Sequence, residues 1–362
     1  MSVGASAAAM TEWAECLLPP AEMPPPLAKE IRGIIGRGPA FVPRLAHAPW
    51  VLRAVARHIN GFLAYLPHAL SDRIGLVVTQ DNSCRYCYGM HRSLLRIAGH
   101  SEADVDRIVR DSMLVDLSPA ERIAVDYARR LSRCTPRPDR EDFEKLVAAG
   151  FDERAAVEVA ADVAAGSFMN RIATLAALPP EPLEAVTGAS YFGIIRPFLA
   201  LGFHKRPPRP LPPPQPNDGP CARVVAALGD SPSAHLLRAT IDGAFASPIL
   251  PTRTKALVLA VVARALDCPY GEKEARALLG SEGFAAADVD HVLETLSSPR
   301  LDAREARLVP FARETVRYQT AVIQSRMRDV SRELSPAEMT ELIGTIALAN
   351  AVCRLSVLLD AR

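Results

Sequence analysis

Asp81-Asn82-Ser83-Cys84-Arg85-Tyr86-Cys87-Tyr88-Gly89-Met90-His91 is the stretch on which the reading of this chain turns. It places two of seven cysteines and one of eight histidines in a Cys-x-x-Cys-x-x-x-His arrangement. On a helix, Cys84 and Cys87 are neighbours at i, i+3, and Cys87 and His91 at i, i+4. Two thiols one turn apart can pair as a disulfide or attack in sequence. An imidazole one turn further on can take a proton from the nearer thiol. Such an arrangement suits thiol redox chemistry at neutral pH, where the reactive species is the thiolate. Asn82-Ser83 interrupts the preceding helical pattern, so the motif is expected to open a helix. Gly99 is expected to close it in a left-handed conformation.

Outward from the motif the pattern is helical throughout. Pro49 to Arg57 carries apolar residues at three- and four-residue spacing. Ser71 is expected to cap a helix through Val78. Ser101-x-x-Asp104 opens another, and Ser118-Pro119-Ala120-Glu121 is a capping box with proline at the first helical position. Asp139 to Ala149 is a short helix stopped by Gly150. Asp152 to about Ala177 is a long apolar helix ending before Pro179-Pro180. No stretch sustains period-two alternation, so the fold class expected is all-α.

From Pro207 to Pro220 the composition changes to a proline-rich run that no helix interior accommodates, which marks an extended linker. Beyond it the first half repeats. An offset of 184 carries Cys84 onto Cys268, and ten of the 26 positions from 84 to 109 recur without a gap. Near the end the offset is 183, carrying Arg171 onto Arg354. Ser335-Pro336-Ala337-Glu338 is a further proline capping box, close to where Asp152 opens the matching helix. The organisation expected is a loosely attached arm over 1–34, a first domain over 35–195, a linker over 196–220 and a second domain over 221–362. In the second half Cys87 becomes Gly271 and His91 becomes Ala275. That half is expected to keep the scaffold and lack the chemistry.

Bulk properties narrow the class. Hydrophobic residues make up 49% and charged residues 23% of 362, as in a globular chain with a sizeable core. A net charge of +1 gives no nucleic-acid footprint. No run reaches the length of a membrane span; the longest expected, Ala256 to Ala263, ends at Arg264. Met1 to Met10 lacks the basic start of a secretory signal. The cysteines are too few for a disulfide framework, so a reducing, cytoplasmic setting is expected.

These residues resemble the alkyl hydroperoxidase D-like / carboxymuconolactone decarboxylase superfamily, in its peroxidase-related branch. The resemblance runs through Leu70-Ser71-Asp72-Arg73, the Asn82 to Cys87 turn, His91, Gly99-x-Ser101 and Leu117-Ser118-x-x-Glu121. In the second half it takes in Leu250-Pro251-x-Arg253 and Asp267-Cys268-Pro269-Tyr270. It implies two tandem helical-bundle domains and a peroxiredoxin-type thiol peroxidase acting without a bound cofactor or metal. The implied partners are a small hydroperoxide, an external dithiol reductant and further copies of the chain. It also implies Cys87 as the nucleophile and Cys84 as the resolving thiol, with His91 as proton acceptor. Redox members carry glutamate twelve residues before the first cysteine; Asp72 stands there. Some carry histidine where Tyr86 stands. The residues alone leave the nucleophile open, since a helix N-terminus favours a thiolate at Cys84. Three further readings stand beside the peroxidase. They are a non-enzymatic redox sensor, a carboxymuconolactone decarboxylase-like lyase, and a zinc site on Cys84, Cys87 and His91. Asn170-Arg171, polar within an apolar helix, is expected to form a salt bridge between helices. Cys16, Cys134, Cys221 and Cys353 have no partner at useful spacing.

Overall fold

The computed structural model describes residues 15–36, 38–110, 117–203 and 218–361. Among them there is no strand, and the fold is all-α. In the first half α1 (Pro25–Ile35), α2 (Val42–Leu45) and α3 (Pro49–Asn60) lead to the hairpin α4 (His68–Asp81) and α5 (Arg85–Ala98). There follow α6 (Glu102–Arg110), α7 (Pro119–Arg133), α8 (Arg140–Ala148) and the long α9 (Glu153–Leu175). The half closes with α10 (Pro182–Gly188) and α11 (Phe192–Phe203). The second half begins with α12 (Ala222–Ala227) and α13 (Pro232–Ala246). Its hairpin is α14 (Thr252–Ala265) and α15 (Pro269–Ser281). Then come α16 (Ala286–Thr295), α17 (Glu305–Glu314), α18 (Thr320–Ser331), the long α19 (Pro336–Leu355) and α20 (Leu358–Ala361).

Helices α9 and α19 make the most extensive contact between described elements. Both are apolar on all sides and buried along most of their length, which is the pattern of a core helix. Pro336–Asp360 is long and apolar enough to cross a membrane by length and composition, contrary to the expectation that no run is. Its charges lie toward its two ends, Glu338 and Glu341 near the first and Arg354 and Asp360 near the last, and its apolar window is 94% buried inside the protein.

Each long helix carries a buried glutamate that holds the loop in front of a hairpin. Glu158 of α9 accepts hydrogen bonds from the backbone amides of Ala64, Tyr65 and Leu66 at 2.6, 2.7 and 2.8 Å. Glu341 of α19 pairs with Lys255 at 2.7 Å and accepts from Trp50 Nε1 at 3.1 Å. Lys255 and Glu341 are almost wholly inaccessible. A pair so placed persists because its remaining donors are also satisfied; Lys255 Nζ donates to the carbonyls of Ala244 and Ser247, both at 2.6 Å.

Several boundaries differ from those read in the sequence. The arm is ordered where it is described. Leu27, Ile31 and Ile35 recur every four residues and are buried on a helix that packs against α3. Pro25 and Pro26 start that helix, at positions where the missing amide costs nothing. Helix α4 begins at His68 behind Pro67, so Ser71 lies inside the first turn and does not cap it. Helix α11 continues to Phe203 with Pro197 inside it, through the first residues assigned to the linker. The proline-rich run from 207 lies mostly outside the described residues. Arg171 forms hydrogen bonds in place of the expected salt bridge. It donates to Asn82 Oδ1 at 2.9 Å and to the Val316 carbonyl at 3.0 Å.

Replacing Glu341 by alanine strands Lys255 in the core and is expected to destabilise the fold by about 3–5 kcal/mol, read from urea unfolding. A loss under about 1 kcal/mol, the scale of an exposed pair, would show that the pair is dispensable.

Candidate active site

The α4–α5 hairpin places the thiols. Asn82 ends α4, and Ser83 takes a left-handed conformation (φ 49) that turns the chain. The Asn82 side chain pins the turn by donating to the Val78 carbonyl at 2.8 Å while accepting from Arg171. Cys84 is then the N-cap of α5. Its Sγ accepts the Cys87 amide at 3.3 Å and lies 2.8 Å from the Cys87 Sγ. Both cysteines are free thiols and buried, Cys84 at 1% and Cys87 at 6% exposure. Above them, Thr320 of α18 donates to the Ser83 carbonyl at 2.9 Å, and Tyr318 lies close enough to feel both sulfurs.

The two sulfurs differ electrostatically. Burial pushes Cys84 up, but the Cys87 thiol and amide donors outweigh it and hold the group below the usual thiol range. Burial, and then donation to Cys84, push Cys87 well above that range. The charge therefore rests on the sulfur at the helix N-terminus, where backbone amides and the helix dipole favour it. This is the opposite sulfur from the nucleophile that the family resemblance implies.

His91 is one turn beyond Cys87 on α5, but no hydrogen bond joins the two. Its ring rests on Gly75 of α4, where an added Cβ would overlap the imidazole and approach Nε2 to 2.7 Å. Burial lowers His91 to about 4, so it is a neutral imidazole at pH 7. His58 of α3 lies near it and is likewise lowered to about 4, by burial and then by His91. Neither Nδ1 has a partner. Asp72 makes no hydrogen bond to either cysteine or to His91. It lies near Asp162 of α9, and burial raises it to about 6. Asp162 is raised to about 7 by burial first, with Asp72 and Glu158 adding to the rise against a hydrogen bond from Ser71. The four expected site residues thus divide into a thiol pair, His91 resting on Gly75 beside His58, and Asp72 beside Asp162. Among the described residues no three metal-ligating side chains converge, so Cys84, Cys87 and His91 do not form a zinc set.

Several neighbours were not legible as site residues. Tyr86 donates to Glu181 Oε1 at 3.1 Å and meets Phe41 edge-on, so it packs and anchors the loop after α9. Thr174 and Tyr318 bring buried hydroxyls to the sulfurs. Cys353 stands beside Cys268, 85 residues away in sequence, a spacing that no local motif marks. An apolar cleft lies between the halves, bordered by His58, Phe62, Phe168, Leu237 and Leu348. Neither cysteine of the motif lines it.

No family model matches the chain, and no curated protein matches it. Among solved structures it is similar to an uncharacterized peroxidase-related protein from Ralstonia eutropha JMP134, described as an alkylhydroperoxidase AhpD core. The identity is 24%, over 46% of this chain and 92% of that one, with a TM-score of 0.41.

Two outcomes are expected. The thiolate absorbance lost in Cys84→Ser titrates below the ordinary thiol value of about 8.5, and Cys87→Ala, which removes a donor, moves it upward. A Cys84 midpoint at or above the ordinary value contradicts the assignment. Asp162 is protonated more readily folded (about 7) than unfolded (3.8), so it opposes folding increasingly as pH rises through that window. Asp162→Asn should therefore be more stable than wild type at about pH 8, by a few kcal/mol at about 1.4 kcal/mol per pKa unit. Near pH 4 it should be no more stable. Equal stabilities at both pH values in urea unfolding would contradict the burial of that charge.

Proposed function

We propose that the chain is a thiol-dependent peroxidase that reduces small organic hydroperoxides through Cys84 and Cys87. The observation that carries this reading is the Cys87 amide donating to Cys84 Sγ with the Cys87 Sγ 2.8 Å away, which readies one thiolate beside one protonated thiol. In the proposed cycle the Cys84 thiolate attacks the terminal peroxide oxygen and the O–O bond breaks. The alkoxide leaves as an alcohol, taking up the proton that Cys84 lost on ionising. Cys84 is then a sulfenic acid. The Cys87 sulfur attacks it, an S–S bond forms, and hydroxide leaves. The Cys87 proton passes through water to neutral His91 and on to that hydroxide. An external dithiol reduces the disulfide by exchange. Asp72 and Asp162, both raised toward neutrality, form a separate pair of protonatable carboxyls. Burial of both sulfurs favours a small oxidant over a protein disulfide. The family resemblance supports the same chemistry, with the charge on the other sulfur. In this reading the chain is a tandem duplication whose second half covers the thiols of the first.

A second reading has its own observation. Tyr318 and Thr320 of the second half lie on the thiol turn, so oxidation there can be sensed as a change in the contact between halves, as in a redox switch.

Peroxide consumption with cumene hydroperoxide and a dihydrolipoamide-type dithiol separates the two. Wild type is expected to turn over repeatedly. Cys84→Ser and Cys87→Ser should each abolish turnover, and His91→Ala should lower it on the order of 10²-fold, the lower end of general-base effects. One disulfide per chain with no further consumption would overturn the peroxidase reading and favour the switch.

A further inference from the structure

The sequence leaves Cys268 as the sole remnant of the motif in the second half, with Gly271 in place of the second thiol. The fold restores a partner from elsewhere. Cys268 caps α15 as Cys84 caps α5, its Sγ accepting the Gly271 amide at 3.2 Å. A methyl group built on Gly271 would lie 3.2 Å from Cys268 Sγ and 2.9 Å from Cys353 Sγ. The space that glycine leaves is therefore bordered by two sulfurs. One of them enters from α19, at the position corresponding to Asn170 of α9. Both thiols are free and fully buried.

The surroundings are those of a reactive thiol. The Ser356 hydroxyl lies 3.1 Å from Cys268 Sγ and receives Arg137 Nη2 at 2.6 Å. Arg137 comes from the first-half segment between α7 and α8, and its buried Nη1 has no hydrogen-bond partner. Its guanidinium favours the ionised form of both sulfurs. The Cys353 thiol, within hydrogen-bonding reach, holds Cys268 down to about 6 against burial, with Ser356, Arg137 and the Gly271 amide adding to the effect. Cys353 is pushed the other way, by donating to Cys268 and by burial.

We propose that Cys268 and Cys353 form a second redox-active dithiol, with Arg137 stabilising its thiolate and a small peroxide as its oxidant. The Cys268 thiolate attacks a hydrogen peroxide oxygen, the O–O bond breaks, and the departing hydroxide takes up the proton that Cys268 lost. The sulfenic acid so formed is attacked by Cys353. The S–S bond forms as hydroxide leaves with the Cys353 proton, giving two waters and one disulfide from two thiols and one peroxide. That bond covalently ties α15 to α19, the core helix of its half. This site does not depend on the chemistry proposed for Cys84 and Cys87.

The test uses the full chain with Cys84→Ser and Cys87→Ser, and wild type beside it in case the double variant misfolds. Each is treated with one equivalent of hydrogen peroxide, alkylated and digested with trypsin. The expected product joins the peptides 265–273 and 333–354 and is released by a phosphine reductant. Arg137→Met is expected to slow its formation on the order of tenfold, through a smaller thiolate fraction. The proposal is overturned if both thiols stay open to alkylation after unfolding, or if Cys268 is oxidised to sulfinic acid without a cross-link. A cross-link formed as fast in Arg137→Met would remove Arg137 from the site.

Discussion

The packing of α9 against α19 is the constraint on which the rest of the structure depends. Two helices apolar on every side have no face to offer water, so each must be enclosed. Mutual contact solves that for both at once, with each buried Leu, Ile or Val contributing roughly 1.5–3 kcal/mol. The polar residues left on them are then forced into specific roles. Glu158 and Glu341 collect the loops in front of the two hairpins. Arg171 and Arg354, buried with the helices, reach backbone carbonyls across the junction, at Val316 and Ser132.

Those arginines belong to a reciprocal exchange. The segment after α17 lies over the thiols of the first half, through Tyr318 and through Thr320 on the Ser83 carbonyl. The segment after α7 lies over the thiols of the second half, through Arg137 on Ser356. Arg317 and Thr135 join the two segments at 2.6 Å. Each half thus completes the environment of the sulfurs in the other. The electrostatic result follows the same rule twice. A cysteine at a helix N-cap gathers amide and thiol donors and is held down, while its partner, which donates, is pushed up.

The sequence carried much of this, unevenly. Capping boxes at Ser118 and Ser335 are local, with partners three residues apart, and the structure has them as read. The helical stop at Gly99 is likewise a single-residue property. Errors came where a local signal had two meanings. The expected loose arm ends in prolines, yet prolines also begin helices, and the buried Leu27, Ile31 and Ile35 show that Pro25 and Pro26 do so here. Ser71 is a good cap by type but follows Pro67, which already starts the helix. The site is legible as far as i, i+3 spacing reaches, which brings Cys84 and Cys87 together. The same spacing puts His91 on α5, but the bare face of Gly75 draws its ring onto α4. The meeting of Cys268 with Cys353 depends on how α15 and α19 pack, which no spacing rule encodes.

The central claim is that the reactive charge sits on Cys84, with Cys87 as its donor and resolving thiol. Trapping the sulfenic acid with a cyclic dione tests it most directly, in Cys87→Ser and Cys84→Ser after one equivalent of cumene hydroperoxide. A trapped adduct at Cys84 in Cys87→Ser, and none at Cys87 in Cys84→Ser, is the predicted result. An adduct at Cys87 in Cys84→Ser, with Cys84 left unmodified in the other variant, would contradict it and return the nucleophile to the second cysteine.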